Sequence, residues 1–213
     1  MTEKDIRKYI DRLNKGKGQE TIFRRQISKN VELAKVWSRR IHISLDFFFI
    51  KNNEGEFIGA INDMEDDLHW YIIPKYRKQG HLSKSLNETI LPYIFKNKRK
   101  SQTITINPKD EIDCQNSKKV ALKIGFKPDH FNGNFKLEEK DFNFKNQKLN
   151  EQYGMDDKRI KILKKRLENI TKNLLKISNE FEMAFGGISE LPEIAKKIEQ
   201  NDWNLENLIN SKK

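Results

Sequence analysis

Apolar residues recur along the chain at two different intervals, and the pattern changes near residue 150. Ile6, Ile10 and Leu13 fall at helical spacing behind Thr2, a good helix cap, so a short helix is expected over residues 3–13. The stretch NKGKG, with two glycines, ends it as a joint. ETIFRRQIS alternates and reads as a strand. In NVELAKVWSRRI, Val31, Ala34, Trp37 and Ile41 repeat every three or four residues, which predicts a helix. ISLDFFFIKN and FIGAIND are rich in β-branched and aromatic residues and flank the turn NNEGE, so they form a hairpin. LHWYII is a fourth strand, ending at Pro74. A helix follows over residues 82–96, with Leu82, Leu86, Ile90 and Ile94 inward and Pro92 placed to kink or shorten it. QTITIN is a strand, NSKKVALKIG a helix closed by Gly125, and FKPDHF and NFKLEE flank the hairpin signal NG.

Beyond residue 150 the spacing belongs to a seam. Ile160, Leu163, Leu167, Ile170, Leu174, Ile177, Phe181 and Ala184 follow one another at alternating intervals of three and four. Such a stripe is either a coiled-coil seam, which would make a homodimer through the 156–184 helix, or one face of a helical pair. Gly186 and Gly187 stop it, and two short amphipathic helices are expected after them. The chain therefore divides into an N-terminal helix and joint (1–19), an α/β domain (20–149) and a helical extension (150–213).

Composition narrows the class. Of 213 residues, 36% are hydrophobic and 34% charged, so the core is economical. No apolar run is long enough to span a bilayer, and the N-terminus, charged from its third residue, lacks the pattern of a secretory signal. Cys114 is the one cysteine and has no partner for a disulfide within the chain; no Cys/His spacing suggests a metal. A cytoplasmic protein without membrane partner is expected. The net charge is +11, and residues 1–40 carry most of it, with 12 Lys and Arg against 5 Asp and Glu. That excess suits solubility, or steering of an acidic partner such as RNA or a phosphate-bearing cofactor.

One stretch brings chemistry into view. YRKQGHLSKSL joins the strand LHWYII to the next helix through Arg77, Lys78, Gln79 and Gly80. The first N–H groups of a helix lack intrahelical acceptors and carry its positive dipole end. A glycine there lets the backbone turn tightly and a ligand come close. With Arg77, Lys78 and Lys84 adding charge, the loop suits a pyrophosphate; it also suits an ordinary connection with solvated basic residues.

In its setting, Arg77-Lys78-Gln79-Gly80-His81-Leu82 resembles the signature Gln/Arg-x-x-Gly-x-Gly/Ala of the GNAT family of N-acetyltransferases, with Leu82 where Gly or Ala is usual. Ser117, Val120, Lys123, Gly125 and Phe126 match the family's following helix; Cys114 stands at its usual Asn, and Ala121 where many members carry a Tyr that protonates the leaving thiolate. The resemblance covers residues 20–142. It implies a mixed central sheet flanked by helices, acetyl-CoA as cosubstrate, and direct attack by an amine. It also implies that Arg77, Lys78, Gln79, Gly80, His81, Leu82, Ser83 and Lys84 hold the pyrophosphate. The strand near Trp70, Ile72 and Ile73 would splay from QTITIN and bond the pantetheine amides through its backbone, and Cys114 and Ser117 would also contact the cofactor.

For the base, DMEDDLHW offers Asp66 and His69; strand alternation groups Asp67, His69 and Tyr71 on one face. Tyr71 and Cys114 are candidates for the acid. Asp66 equally suits a solvated turn and His69 a half-buried structural role. The expected function is an acetyl-CoA-dependent N-acetyltransferase acting on an amine-bearing small molecule or protein. The alternative is a non-catalytic module of the same shape acting through its C-terminal helices, with nucleic acid, including charged tRNA, as a further partner class.

Overall fold

The computed structural model describes residues 2–38, 43–106, 111–129, 133–187 and 189–210. They form two compact units, 1–152 and 153–213. Among the described residues no helix is long and apolar enough to cross a membrane.

The first unit is a mixed α/β layer structure. Helix α1 (Glu3–Asn14) starts at a capping box: Thr2 Oγ1 accepts from Asp5 N–H at 3.3 Å, and the Asp5 carboxylate accepts from Thr2 N–H at 3.3 Å. Its inward face, Ile6, Ile10 and Leu13, is the expected one. Strands β1 (Ile22–Ser28), β2 (Val31–Ser38), β3 (Ile43–Lys51), β4 (Phe57–Met64) and β5 (Asp67–Ile72) follow as a continuous antiparallel meander. Then come α2 (His81–Ser85), a π-helical turn (Leu86–Ile90) and α3 (Leu91–Lys96), end to end, and β6 (Ser101–Thr105), α4 (Glu111–Ile124), β7 (Lys127–Pro128) and β8 (Asn134–Glu138). The eight strands lie in the order β1-β2-β3-β4-β5-β6-β8-β7, antiparallel except at β5–β6, which is parallel.

Residues 31–38 are a strand, not the expected helix. Ala34 and Val36 enter the core under α1, while Val31 and Leu33 pack on the opposite face. A strand buried on both faces shows no apolar–polar alternation, and Val31, Ala34 and Trp37, with Ile41 beyond the strand, mimicked a helical stripe in the sequence. Trp37, assigned to that stripe, is exposed, and Ile41 lies outside the described residues. The strand that carries the candidate site is consequently the fifth, not the fourth.

The three consecutive phenylalanines of β3 supply both cores. Phe47 and Phe49 point to the α1 side with Ala60, Phe57 and Tyr71. Phe48 points to the other side, against Ile61, Leu68, Leu86, Ile90 and Phe95. Each fully buried ring contributes roughly 2–3 kcal/mol of hydrophobic transfer energy.

Pro92 bends hydrogen bonding rather than ending the helix. It has no N–H to give the Glu88 carbonyl four residues back, and the ladder widens there into the π turn. The freed Glu88 oxygen accepts instead from Lys148 N–H at 2.6 Å. Helix α4 closes as expected at Gly125 (φ 106°), with Phe126 N–H to Ala121 O and Gly125 N–H to Leu122 O, both at 3.1 Å.

The second unit consists of α5 (Asp157–Phe185) and α6 (Leu191–Asn210). Asp156 caps α5 by accepting from Arg159 N–H at 2.8 Å, and Gly186 (φ 68°) ends it. The two short helices expected at the end are one 20-residue helix. Asn201, which lies between the two expected segments, donates its side-chain amide back to Lys197 O at 3.0 Å and is helical.

Candidate functional site

The parallel pair β5–β6 holds together at one level and then opens. Asp67 faces Thr103 as the one registered pair, and Thr103 N–H donates to Asp66 O at 3.0 Å. The Asp67 carboxylate then bridges the widening gap, accepting from Thr105 N–H at 2.8 Å. Beyond it, among the described residues, the edge of β5 that faces β6 has no strand partner. Its other edge stays zipped to β4 as far as Gly59–Ile72, with Ile73 N–H donating to Ile58 O at 2.9 Å. A cleft of about 960 Å³ fills the gap.

Its walls come from His69 to Ile72 on β5, Ile104 to Ile106 on β6 and beyond, and Cys114, Asn116, Ser117, Lys119 and Val120 on α4. Pro74, Tyr76, Arg77, Lys78 and the helix start Gly80 to Ser83 line it as well, as does Glu3 of α1. Trp70 Nε1 reaches Ser117 Oγ at 3.4 Å and so links β5 to α4 over the gap.

The basic loop is built to hold its own shape. Lys78 (φ 61°) and Gly80 (φ 80°) are both left-handed, a strained state for the lysine and a natural one for the glycine. A Cβ on Gly80 would meet nothing within 4 Å, so that position is open to an approaching group. The helical ladder opens with Lys84 N–H to Gly80 O at 2.9 Å, which leaves the preceding turn of N–H groups turned outward. Arg77 Nε donates to Ile72 O at 3.0 Å, and its guanidinium lies 5.8 Å from the Tyr71 ring centroid. Gln79 donates to Lys75 O at 2.9 Å. Tyr76 donates its hydroxyl to Glu56 in the β3–β4 turn. That bond holds the Glu56 carboxyl below its ordinary value, against the opposing effect of burial and with a lesser contribution from Lys75.

Of the residues the sequence singled out, His69, Trp70, Tyr71, Ile72, Arg77, Lys78, Gly80, His81, Leu82, Ser83, Cys114 and Ser117 line this one cleft. Asp66 sits in the exposed turn between β4 and β5, outside the lining. Ile73 packs against the core under α1, Gln79 braces the loop from behind, and Lys84 is exposed on α2. Ala121 is fully buried and faces the core instead of the cleft. Sequence reading missed Glu3, Thr105, Asn116 and Lys119. The last two had a usable signal, since Asn116, Lys119 and Val120 share a helical face; Glu3 and Thr105 arrive only through tertiary packing. Asn62, paired across the ladder with His69, is 4% exposed, and its Oδ1 has no hydrogen-bond partner among the described residues.

Among the described residues no group of three His, Cys, Asp or Glu side chains is placed to hold a metal ion. Compared with models of protein families, with curated proteins and with solved structures, the chain matches none.

Proposed function

We propose that the chain is an acetyl-CoA-dependent N-acetyltransferase of the GNAT kind. The observation that carries this reading is the opening between β5 and β6, with the basic, glycine-containing start of the following helix at its mouth. A thioester cosubstrate with a pyrophosphate at one end and a chain of amides behind it suits both parts. The pyrophosphate lies on the outward N–H groups and Arg77–Lys78, and the amides pair with the open edge of β5.

The reaction needs no covalent enzyme intermediate. The acceptor ammonium gives up a proton, the neutral nitrogen attacks the thioester carbonyl carbon, and a C–N bond forms as the C–S bond breaks. A backbone N–H of β5 stabilises the oxyanion, and the departing thiolate takes a proton. His69, on the cleft wall, is the candidate proton acceptor. Tyr71 and Cys114 are the candidate donors to sulfur. A second reading, a module that holds coenzyme A without turnover, is favoured by Ala121, which offers no hydroxyl to the cleft.

Calorimetric titration with acetyl-CoA tests the proposal, beside an Arg77→Glu/Gly80→Glu variant whose folding is checked by circular dichroism. Saturable binding that the variant loses is expected. A folded wild type that binds nothing overturns both readings. Binding without thiol release across an amine panel selects the second.

A further inference from the structure

The C-terminal hairpin leaves half of its most regular feature, the heptad seam, uncovered. Helices α5 and α6 run antiparallel: Lys164 pairs with Glu206 near one end, and Ser178 Oγ lies 2.8 Å from Ser189 Oγ near the other. Among the described side chains, the buried residues along this contact are small, Thr171 and Ser178 on α5 and Ala195 on α6. They allow close helix approach. The heptad seam straddles the edge of that line, with Leu163, Leu167 and Leu174 half-buried. At about 100° per residue, Ile170, Ile177 and Phe181 stand roughly a quarter turn to one side of Thr171 and Ser178. They remain 48%, 44% and 55% exposed. On α6, Ile194 and Leu205 stand roughly a quarter turn from Ala195 in the same rotational sense, and are 42% and 41% exposed. Because the helices are antiparallel, equal rotations bring both sets to one face of the hairpin. That face is apolar on both helices, beyond what isolated exposed side chains explain.

Charge says what fits it. Residues 158–166 hold six cations and no carboxylate, and residues 180–193 hold four carboxylates and no cation. The hairpin is therefore basic at its open end and acidic at its tip. The seam also reads alike in both directions about position 172: Ile170 mirrors Leu174, Leu167 mirrors Ile177, and Leu163 mirrors Phe181.

We propose that a second copy of this chain covers the face, with the two α5 helices antiparallel. The two-fold axis crosses them level with position 172, and two hairpins make a four-helix bundle. Each tip then lies on the other copy's basic end. Arg166 and Glu180 occupy the flanking positions just before the seam residues Leu167 and Phe181, and each faces the other across the two-fold. A parallel pair would instead place cations on cations and carboxylates on carboxylates. This inference is independent of the acetyltransferase reading.

The full chain, followed by light scattering and sedimentation over a dilution series, gives the test. Wild type is expected at twice the 25.3 kDa chain mass. Ile177→Glu/Phe181→Glu returns it to one chain mass without changing the thermal transition of the first unit. Arg166→Glu weakens association about tenfold, and Arg166→Glu/Glu180→Arg restores it. In a Cys114→Ser background, Arg159→Cys does not cross-link two copies, because antiparallel helices hold those ends apart. A monomeric wild type, or one whose partner is a different protein, overturns the proposal. So does cross-linking through position 159, or a charge swap that fails to restore the mass.

Discussion

The two units bury their apolar residues in opposite ways. In the first, Phe47, Phe48 and Phe49 are all fully enclosed, and the sheet is covered on both faces. In the second, the buried residues among the described side chains are a threonine, a serine and an alanine, while Phe181, Met183 and Phe185 stand in solvent. A domain whose large rings are inside is stabilised by its own folding. A hairpin whose large rings are outside keeps that transfer energy for association.

Replacement of matched phenylalanines breaks or sharpens this contrast. Phe49→Ala, in the core against Phe47 and Phe57, is expected to cost about 3–5 kcal/mol in urea unfolding; a loss under about 1 kcal/mol would sink the contrast. Next in size is Gly59→Ala. Its Cβ would lie 2.2 Å from Ile72 Cδ1 and 2.8 Å from the Tyr71 carbonyl, both in the cleft wall. Destabilisation of about 1–3 kcal/mol is expected, together with weaker acetyl-CoA binding by calorimetry. Undiminished binding would detach the β4–β5 packing from the site.

Smaller still is Tyr76→Phe, which removes the hydroxyl holding the Glu56 carboxyl below its ordinary value. A depressed carboxylate stabilises the fold above its unfolded pKa, and that contribution is lost as pH falls through the folded value. Wild type should therefore exceed the variant by less than about 1 kcal/mol at neutral pH, since Glu56 is largely solvated. The gap should close at acid pH; a gap independent of pH would assign the effect to packing. Smallest is Phe185→Ala, 79% exposed, expected to change stability by no more than about 0.5 kcal/mol.

Local signals in the sequence went a long way. The Thr2 cap, the β3–β4 hairpin, the Gly125 stop and most of the loop at residues 77–83 were legible because each depends on neighbours a few residues away. Val31–Ser38 was not, since burial on both faces erased the period-two pattern. Nor was the merging of the last two segments into one helix, α6, across Asn201. The site was half legible. Its loop and β5 wall lie together in sequence, but Ile104–Ile106, Glu3 and the removal of Ala121 to the core follow from how the sheet opens and how α4 is rotated. The direction of the seam relative to α6 was likewise invisible, because the 3–4 spacing fixes a stripe and not its neighbour.

The segment that leaves the sheet unit has a practical consequence. Asn150 N–H donates to Ile27 O at 2.8 Å and Gln152 N–H to Gln26 O at 3.0 Å, while Glu151 pairs with Arg25 at 2.8 Å and Lys96 at 3.1 Å. These bonds occupy the outer rim of β1, which otherwise offers itself to any passing chain as a template for growth. A shortened protein ending after Gln152 keeps that rim closed and should remain dispersed on storage. One ending at Phe142, only ten residues earlier, strips it bare and should precipitate as β-rich material, although it retains all eight strands.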